Sequence, residues 1–365
     1  MDYDAIVVGG GIIGLAIARE VANGGGRVAV LEAERALGQH ATSRNSEVVH
    51  AGIYYPPDSR KAAMCITGRQ LLLDYCAAHG VAIRTPGKLI VACDHAELDA
   101  LDGIAANAAA CGVRLERLDP DEVRAREPAV VCTGALWSPT TAIVDSHALV
   151  AALAAEIRDR GGDIVLGCAF ERATQSSSGL DVTAGGTWVS TRTLYLAAGA
   201  RTPALAAAIE GFAPSAIPEA RFAKGSYFTL VGPPRFRHLV YPVPTAGGLG
   251  IHVTLDMAGG VRLGPDVEWT DDIDYVVDER RAEHFASAVA RYAPGIVASD
   301  LRPGYAGIRA KIVGPGAPAG DFVVATSRTH TVPGVVALFG IESPGLTASL
   351  ALAEHACRCS SLVPP

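Results

Sequence analysis

The glycines at residues 9–14, in the segment GGGIIG, have types and a spacing that indicate a specific chemistry. They follow an apolar run, residues 3–8, that is typical of a buried strand. Gly9 permits a tight turn, Gly11 lets the backbone approach a pyrophosphate without an intervening Cβ, and Gly14 permits close packing of a helix on the strand. The N-terminus of that helix offers free N–H groups and a partial positive charge to phosphates. The segment therefore predicts a dinucleotide-binding site.

An acidic residue at the end of the next strand supports this prediction. Residues 28–31 form a second apolar run that ends at Glu32. A carboxylate at this position can accept hydrogen bonds from ribose hydroxyls, and it repels a 2′-phosphate. Strand, tight turn, helix, strand and acid together form a βαβ dinucleotide-binding unit. The alternative is a glycine-rich turn in an ordinary α/β domain.

Two further segments favour FAD over NAD. Residues 41–46, ATSRNS, supply small hydrogen-bond donors directly after the strand that ends in the acid. Residues 340–346, GIESPGL, form a second glycine-rich turn between a strand and a helix, whose N-terminus could face an electron-poor group such as a flavin ring. The residues predicted to bind FAD are Gly9, Gly11, Ile13, Gly14, Glu32, Thr42, Ser43, Arg44, Asn45, Ser46, Phe170, Ala198, Gly199, Ser343, Gly345, Leu346 and Thr347.

The elements that must position these residues alternate along the chain. Periodicity and capping signals predict helices at 61–79, 95–112, 147–160, 278–292 and 346–357, and strands at 88–93, 163–167, 193–198 and 335–339. Segments of nucleotide-binding type therefore alternate with strand-rich segments. We predict an α/β protein with a discontinuous Rossmann-type FAD-binding domain of the glutathione-reductase type and a strand-rich α+β substrate domain. The FAD-binding domain is expected to comprise residues 1–85, 145–215 and 311–365, and the substrate domain residues 86–144 and 216–310.

The motifs resemble those of FAD-dependent oxidoreductases of the D-amino-acid-oxidase superfamily, and within it L-2-hydroxyglutarate dehydrogenase/oxidase and its relatives. The segments that carry the resemblance are IVVGGGIIG (6–14), SEVVHAGIYYP (46–56), GKLIVA (87–92), IVD (143–145), YPVP (241–244), LGIHVT (249–254), LGP (263–265) and AGIRA (306–310). The HAGIYY stretch also resembles the equivalent loop of FAD-linked glycerol-3-phosphate dehydrogenases.

Two departures from the family pattern stand out. Glu47 occupies a position where the family usually has glycine, and a carboxylate beside the flavin would change the local charge and could alter the substrate. The segment GIESPGLT, residues 340–347, also differs from the Asn- and Ala-richer segment expected in L-2-hydroxyglutarate enzymes.

The resemblance implies oxidation of an L-2-hydroxy acid, with L-2-hydroxyglutarate the leading substrate, by hydride transfer to flavin N5. The first alternative is an amino-acid or amine oxidase of the glycine or sarcosine type, which needs no base for a neutral amine. The second is an NAD-binding or non-enzymatic Rossmann module. The electron acceptor stays open among oxygen, a quinone and an electron-transfer protein.

The oxidation of a hydroxy acid needs a carboxylate anchor and a base. Arg309 is the predicted anchor, because its planar fork can make two hydrogen bonds to a carboxylate and the resemblance assigns it that role. His252 and His50 are the predicted bases, with a pKa expected within about two units of 6.5. His252 is favoured because a strand position holds a side chain rigidly. His50 could instead orient the ring or the substrate, or attach covalently to the flavin as in related enzymes, although non-covalent FAD is expected.

Three further side chains could contact the substrate. Tyr54 and Tyr241 could offer phenol hydroxyls, with packing of the cavity wall as the alternative role. Lys88 is a candidate for binding a distal carboxylate or for stabilising reduced flavin, and Lys224 is a weaker candidate for the same roles.

Composition limits the partners. The 365 residues carry a net charge of −7 without a long basic run, so nucleic acid is not expected as a partner. The eight cysteines are scattered, so no metal site is predicted. A strand at the N-terminus argues against a signal peptide. The expected location is the cytoplasm, or the inner face of a membrane as a peripheral protein.

Overall fold

The computed structural model of the chain describes residues 1–233, 235–244 and 250–360. The α-helices in this part are α1 (Ile12–Asn23), α2 (Arg60–His79), α3 (Leu98–Ala110), α4 (Pro120–Arg126), α5 (Ser146–Asp159), α6 (Thr202–Ala206), α7 (Ala282–Ala290), α8 (Ser327–His330) and α9 (Gly345–Cys359). The strands are β1 (Tyr3–Val8), β2 (Val28–Glu32), β3 (Val48–Val49), β4 (Ile83–Arg84), β5 (Lys88–Ala92), β6 (Glu116–Leu118), β7 (Gly134–Ser138), β8 (Ala142–Val144), β9 (Asp163–Leu166), β10 (Phe170–Ser176), β11 (Gly179–Ala184), β12 (Thr187–Leu196), β13 (Arg221–Leu230), β14 (Leu239–Pro242), β15 (Val253–Leu255), β16 (Val261–Leu263), β17 (Glu268–Thr270), β18 (Leu301–Lys311), β19 (Val323–Ala325) and β20 (Val335–Phe339).

The first sheet has a parallel centre with helices packed on it. Its strand order is β10-β11-β12-β1-β2-β9, and β20 pairs with β12 and β19. Strands β12, β1, β2 and β9 run parallel, as expected for strands connected through crossover helices. Side chains of α1, α5 and α9 join β1 and β2 in one apolar core. The predicted βαβ unit is therefore the centre of this sheet.

The tight join between β1 and α1 depends on glycine at residue 14. A Cβ on Gly14 would lie 1.9 Å from the carbonyl oxygen of Gly9, so any larger residue would force the helix away from the strand. The close helix–strand packing predicted for Gly14 is thus what the backbone shows.

The second sheet is mostly antiparallel and comes from the middle of the chain. Its order is β17-β13-β16-β15-β14-β5-β7-β6, and β18 pairs with β13. The long β13–β18 ribbon places Arg309 opposite Ala223. Strand β5 lies between β14, to which it is parallel, and β7, to which it is antiparallel. A separate apolar core lies under this sheet and α7.

A small third sheet joins distant parts of the chain, because β8 pairs with both β3 and β4. The first sheet draws on residues 3–32, 163–196 and 323–339, and the second on residues 88–138 and 221–311. We therefore propose that the domain division predicted above follows these two sheets. Residues 361–365 of the predicted FAD-binding domain and Leu249 of the LGIHVT motif lie outside the described residues.

Two predicted helices begin with a short 3₁₀ turn. The helix predicted at 95–112 starts as a turn, His95–Glu97, capped by the Asp94 side chain, before α3. The helix predicted at 278–292 starts likewise at Glu279–Arg281 before α7. None of the helices in the described ranges is long and apolar enough to cross a membrane. The same ranges hold no group of three or more His, Cys, Asp or Glu residues that could bind a metal.

Candidate active site

A cavity of about 1810 Å³ is lined by residues from both large sheets. The predicted site residues that line it are Gly9, Gly11, Ile13, Glu32, Thr42, Arg44, Asn45, Ser46, His50, Tyr54, Phe170, Ala198, Gly199, Tyr241, His252, Arg309, Ser343, Gly345 and Leu346. Gly14, Ser43, Lys88 and Thr347 do not line it. The structure thus brings together most of a set of residues scattered over more than 330 positions of the sequence.

One end of the cavity has the geometry of a dinucleotide cradle. Gly9 has φ +109°, and a Cβ there would lie 2.6 Å from the carbonyl oxygen of Ala197. At Gly11 a Cβ would meet only the Thr42 hydroxyl oxygen, at 3.1 Å, so the space beyond this glycine is open. The same hydroxyl oxygen accepts a hydrogen bond from the Ile12 N–H, at 3.0 Å, and thereby caps α1. Hydrogen bonding therefore fixes the backbone of the cradle. No side chain of the described residues occupies the space in which a pyrophosphate would lie.

Glu32 stands at the end of β2 beside this cradle. Its carboxylate accepts hydrogen bonds from the Gly10 N–H at 2.7 Å and from the Glu34 N–H at 2.8 Å. These bonds fix an acid that is only 8% exposed in a position lining the cavity. An anion held here suits ribose hydroxyls and opposes a phosphate, and the role of Glu32 in binding the ribose stays a prediction.

The segment 41–46 is shaped mainly by its own hydrogen bonds. The Asn45 amide donates to the carbonyl oxygens of Ala41 and Thr42, at 2.9 and 2.7 Å, and the Ser46 hydroxyl lies 2.9 Å from that of Tyr227. The Ser43 hydroxyl donates to the carbonyl oxygen of His40. This side chain is therefore used inside the loop, although it was predicted to bind FAD.

The second glycine-rich turn also reaches the cavity. Ser343, Gly345 and Leu346 line it, and no side chain caps the N-terminus of α9. Thr347 is fully buried behind this turn, where its hydroxyl accepts from the His50 N–H at 3.0 Å and donates to the Val48 carbonyl oxygen at 3.3 Å. The Thr347 side chain therefore fastens α9 to the segment after β3 and does not face the cavity.

Arg309 has an unused hydrogen-bond donor in the cavity. Its Nη2 donates to the carbonyl oxygen of Asp266 at 3.0 Å, which holds the guanidinium in place. Its Nη1 is buried and has no partner among the described residues. Buried donors are almost always paired in folded proteins, so this one indicates a ligand with an acceptor oxygen.

His252 lies one residue before β15, not within the strand as predicted, but it is held tightly. It is 4% exposed, and its ring stacks on Tyr241 with centroids 3.8 Å apart and an angle of 18°. Nδ1 lies 3.1 Å from the carbonyl oxygen of Gly250, which can only accept, so Nδ1 carries the proton and Nε2 presents a lone pair.

Burial is the main reason that the pKa of His252 falls to about 3, and the charges of Lys88 and Arg309 lower it further against the opposing bond to Gly250. The expected pKa within about two units of 6.5 is therefore wrong for this environment, since the ring is neutral well below that range.

His50 faces the cavity from the segment after β3. Its Nε2 lies 3.2 Å from the hydroxyl of Ser343, so the ring connects to the second glycine-rich turn. Burial, with a smaller effect of the Lys88 charge, lowers its pKa to about 3. Both candidate bases are thus neutral, but His50 already has a side-chain partner at Nε2.

Tyr54 lines the cavity, whereas Lys88 does not. The Tyr54 hydroxyl is buried without a partner in the described chain, and burial raises its pKa. Lys88 is 1% exposed, and its Nζ lies over the rings of Tyr54 and Tyr241, 4.6 and 4.7 Å from their centroids. Lys88 therefore lies next to residues that line the cavity, but is not itself one of them.

Glu47 turns away from the cavity, contrary to the expected carboxylate beside the flavin. Its backbone is left-handed, with φ +57°, a conformation that favours glycine. Its carboxylate accepts from the Ser146 hydroxyl at 2.7 Å and pairs with Arg262 at 3.1 Å. Lys224, the other candidate cation, pairs with Asp274.

A charged cluster at the cavity was missed by the sequence analysis. The Glu342 carboxylate binds the ammonium groups of Lys61, at 3.0 Å, and of Lys311, at 2.8 Å, and all three residues line the cavity. Lys311 could have been recognised, because it follows Arg309 by two residues and alternate residues of a strand share a face. The position of Lys61, which lies on α2, has no comparable signal in the sequence.

The fold and this cavity define a dinucleotide-dependent oxidoreductase with a separate substrate sheet. A family model described as FAD dependent oxidoreductase (DAO) matches residues 4–358. The chain belongs to this family, its cofactor is FAD, and the glycine cradle and Glu32 fit the dinucleotide.

Relatives agree with this assignment, and solved structures share the fold. The chain is 39% identical to the mitochondrial L-2-hydroxyglutarate dehydrogenase of Arabidopsis thaliana, over 96% of this chain and 82% of the relative. It is 30% identical to L-2-hydroxyglutarate dehydrogenase of Escherichia coli (strain K12), over 97% and 92%. The fold resembles L-α-glycerophosphate oxidase from Mycoplasma pneumoniae, with a TM-score of 0.89, 23% identity and coverage of 98% and 94%. It also resembles glycine oxidase from Geobacillus kaustophilus, with a TM-score of 0.83, 20% identity and coverage of 100% and 95%.

Proposed function

We propose that this protein oxidises L-2-hydroxyglutarate to 2-oxoglutarate. The observation that carries the proposal is that one cavity holds an arginine with a buried donor and a neutral histidine with a lone pair, neither of which has a partner among the described residues. A 2-hydroxy acid presents a carboxylate for the first and a hydroxyl for the second. The relatives at 30–39% identity that carry the name L-2-hydroxyglutarate dehydrogenase support the particular substrate.

Three residues of the chain, Arg309, His252 and Tyr54, bind the substrate or accept its proton. Arg309 binds the carboxylate through Nη1 while the Asp266 carbonyl oxygen fixes its Nη2. His252 accepts the hydroxyl proton at Nε2, and its new charge is shared with the Gly250 carbonyl oxygen through Nδ1. Tyr54 donates its unpaired hydroxyl to a substrate oxygen. Bound FAD would supply the acceptor for the hydride that leaves C2, and His252 takes the hydroxyl proton, so the substrate loses two electrons and two protons in total and becomes a ketone.

We further propose that His50 orients the site through Ser343, because its Nε2 is already engaged there. Gly9, Gly11 and the start of α1 would hold the phosphates of FAD, and Glu32 would bind the ribose. The electron acceptor that reoxidises the flavin stays open among oxygen, a quinone and an electron-transfer protein.

The test is anaerobic reduction of the purified yellow protein by single candidate substrates. L-2-hydroxyglutarate should bleach the visible absorbance of the flavin, and 2-oxoglutarate should appear in equal amount. D-2-hydroxyglutarate is the matched control, because it differs only in the hand of the reacting carbon. Bleaching by glycine, sarcosine or proline, without bleaching by L-2-hydroxyglutarate, would replace this proposal with an amine oxidase. Reoxidation under air, with a quinone or with an electron-transfer protein then identifies the acceptor class.

A further inference from the structure

Lys88 is a buried lysine that the proposed reaction does not use directly. It is the first residue of β5, where it pairs with Leu239 of β14 on one side and Ser138 of β7 on the other. Its side chain is 1% exposed. Within the described residues no carboxylate pairs with it, in contrast to Lys224, which is 6% exposed and pairs with Asp274. Lysines this buried are usually paired, so the lone charge needs a reason.

Two tyrosine rings that line the cavity lie close to the Lys88 ammonium. Nζ lies 4.6 Å from the centroid of Tyr54 and 4.7 Å from that of Tyr241. The Tyr241 ring also stacks on His252, so Tyr241 contacts both the lysine and the histidine. A cation over a ring face is attracted to it, and this attraction grows when water is excluded. The Lys88 charge thus acts on the cavity through the two rings.

We propose that Lys88 is a positioning residue for the oxidation, which holds the Tyr54 and Tyr241 rings in place and favours an anionic substrate and an unprotonated His252. The inference rests on the proposed function, since it concerns the same cavity and the same base. Ring quadrupoles compensate a buried ammonium only in part, whereas an anion in the cavity compensates it further. Arg309 then binds the substrate carboxylate directly, and Lys88 adds attraction from behind the rings.

The charged groups around this stack are all cations, and the other titratable groups there are neutral. Tyr54, Tyr241 and Cys65 surround Lys88, and burial raises the pKa of each of them. His252 is faced by Lys88, Arg309 and the neutral His50, besides the Gly250 carbonyl oxygen. Removal of the Lys88 charge therefore removes one of the two cations that oppose protonation of His252. Its pKa should rise, and the acid limb of flavin reduction should move to higher pH.

The test uses the FAD-loaded enzyme with Lys88→Met, which keeps the length of the side chain and removes the charge. The matched control is Lys224→Met, which removes a buried lysine that does not line the cavity. The probe is glutarate, a dicarboxylate without the oxidisable hydroxyl, titrated through the change in the flavin spectrum. Lys88→Met should weaken glutarate binding about tenfold or more, as expected for one unit charge acting across a low-dielectric interior. Lys224→Met should leave both the glutarate Kd and the acid limb unchanged.

A second variant keeps the inference testable if Lys88→Met fails to bind FAD. Burial lowers the pKa of Lys88 to about 7, whereas an arginine stays charged. Between about pH 6 and pH 9 the wild-type affinity for glutarate should therefore fall as the ammonium deprotonates, and that of Lys88→Arg should stay flat. Equal pH profiles for the two proteins would overturn the inference. So would a Lys88→Met protein with unchanged glutarate affinity, an unmoved acid limb and only a lower Tm.

The two proposals fail in different ways. Wild-type flavin that L-2-hydroxyglutarate does not reduce would refute the proposed substrate, while the glutarate titrations would still show whether Lys88 attracts an anion. Reduction of the wild type by L-2-hydroxyglutarate, with glutarate binding indifferent to Lys88, would refute the role of Lys88 alone.

Discussion

Loss of the Arg309 side chain should weaken substrate binding far more than it weakens folding. Arg309→Ala removes the charge and the orphaned Nη1 donor, and it leaves the Asp266 carbonyl oxygen without its partner at 3.0 Å. A hydrogen bond to a charged group contributes about 1.5–3 kcal/mol, and about 1.36 kcal/mol corresponds to a factor of ten. The KM for L-2-hydroxyglutarate should therefore rise about 10- to 150-fold. Arg309→Lys keeps the charge but loses the planar fork, so its KM should rise by a smaller factor within the same range.

Anaerobic stopped-flow reduction of the flavin separates binding from chemistry in both variants. The limiting rate of reduction reports the step after binding, and its dependence on concentration gives the substrate Kd. Arg302→Ala is the matched control, because Arg302 lies on the same strand but is exposed and bonds only to nearby carbonyl oxygens. Unchanged substrate Kd in both Arg309 variants, with a lower Tm, would show that Arg309 is a structural residue and that the carboxylate binds elsewhere.

Three further perturbations address the cofactor, the base and the departure from the family pattern. Gly11→Val should give a folded but colourless protein, because its side chain would enter the open space of the cradle; stoichiometric flavin in this variant would contradict the assignment. His252→Gln should slow flavin reduction by about 10²–10⁴-fold with FAD still bound, and His50→Gln should slow it less; no slowing in either variant would exclude a histidine base. In the wild type the limiting rate of reduction at saturating substrate should stay level through neutral pH and fall only as pH drops towards the pKa of about 3 at His252, since protonation removes the base. Glu47→Ala should lower the free energy of unfolding by about 1–3 kcal/mol through loss of its two partners. Glu47→Gly should lower it about 1 kcal/mol less, because glycine relieves the left-handed backbone. The flavin spectrum should be the same in both Glu47 variants, and a shifted spectrum would place this carboxylate at the cofactor.

The cofactor end of the site was largely readable from the sequence because its determinants are local. Gly9, Gly11 and Gly14 lie within six residues of the chain, where β1 ends and α1 begins. Glu32 is placed by the end of the strand that follows. Local spacing therefore specifies both the residues and their geometry, and the structure adds only distances.

At the substrate end of the cavity, the sequence indicated the types of residue but not their arrangement. The register of the β13–β18 ribbon and the Asp266 carbonyl oxygen place Arg309, and both are distant in sequence from it. The stack of Tyr241 on His252 arises because β14 and β15 are neighbours in the sheet. The pKa expected for a histidine base was wrong for the same reason, since burial in this sheet is not visible in a single segment.

The direction of a side chain is the hardest property to read, as Glu47 and Lys88 show in opposite ways. A carboxylate in a motif that resembles a flavin loop was expected beside the flavin, but the left-handed backbone at Glu47 turns it towards Ser146 and Arg262. A lysine in a strand motif was expected to reach a ligand, but β5 lies between two other strands and buries Lys88 behind two rings. Both charged side chains lie near the cavity, but neither of them lines it. The two residues act at different distances from the reaction: Glu47 joins segments of the chain, whereas the uncompensated charge of Lys88 reaches the base through the ring of Tyr241.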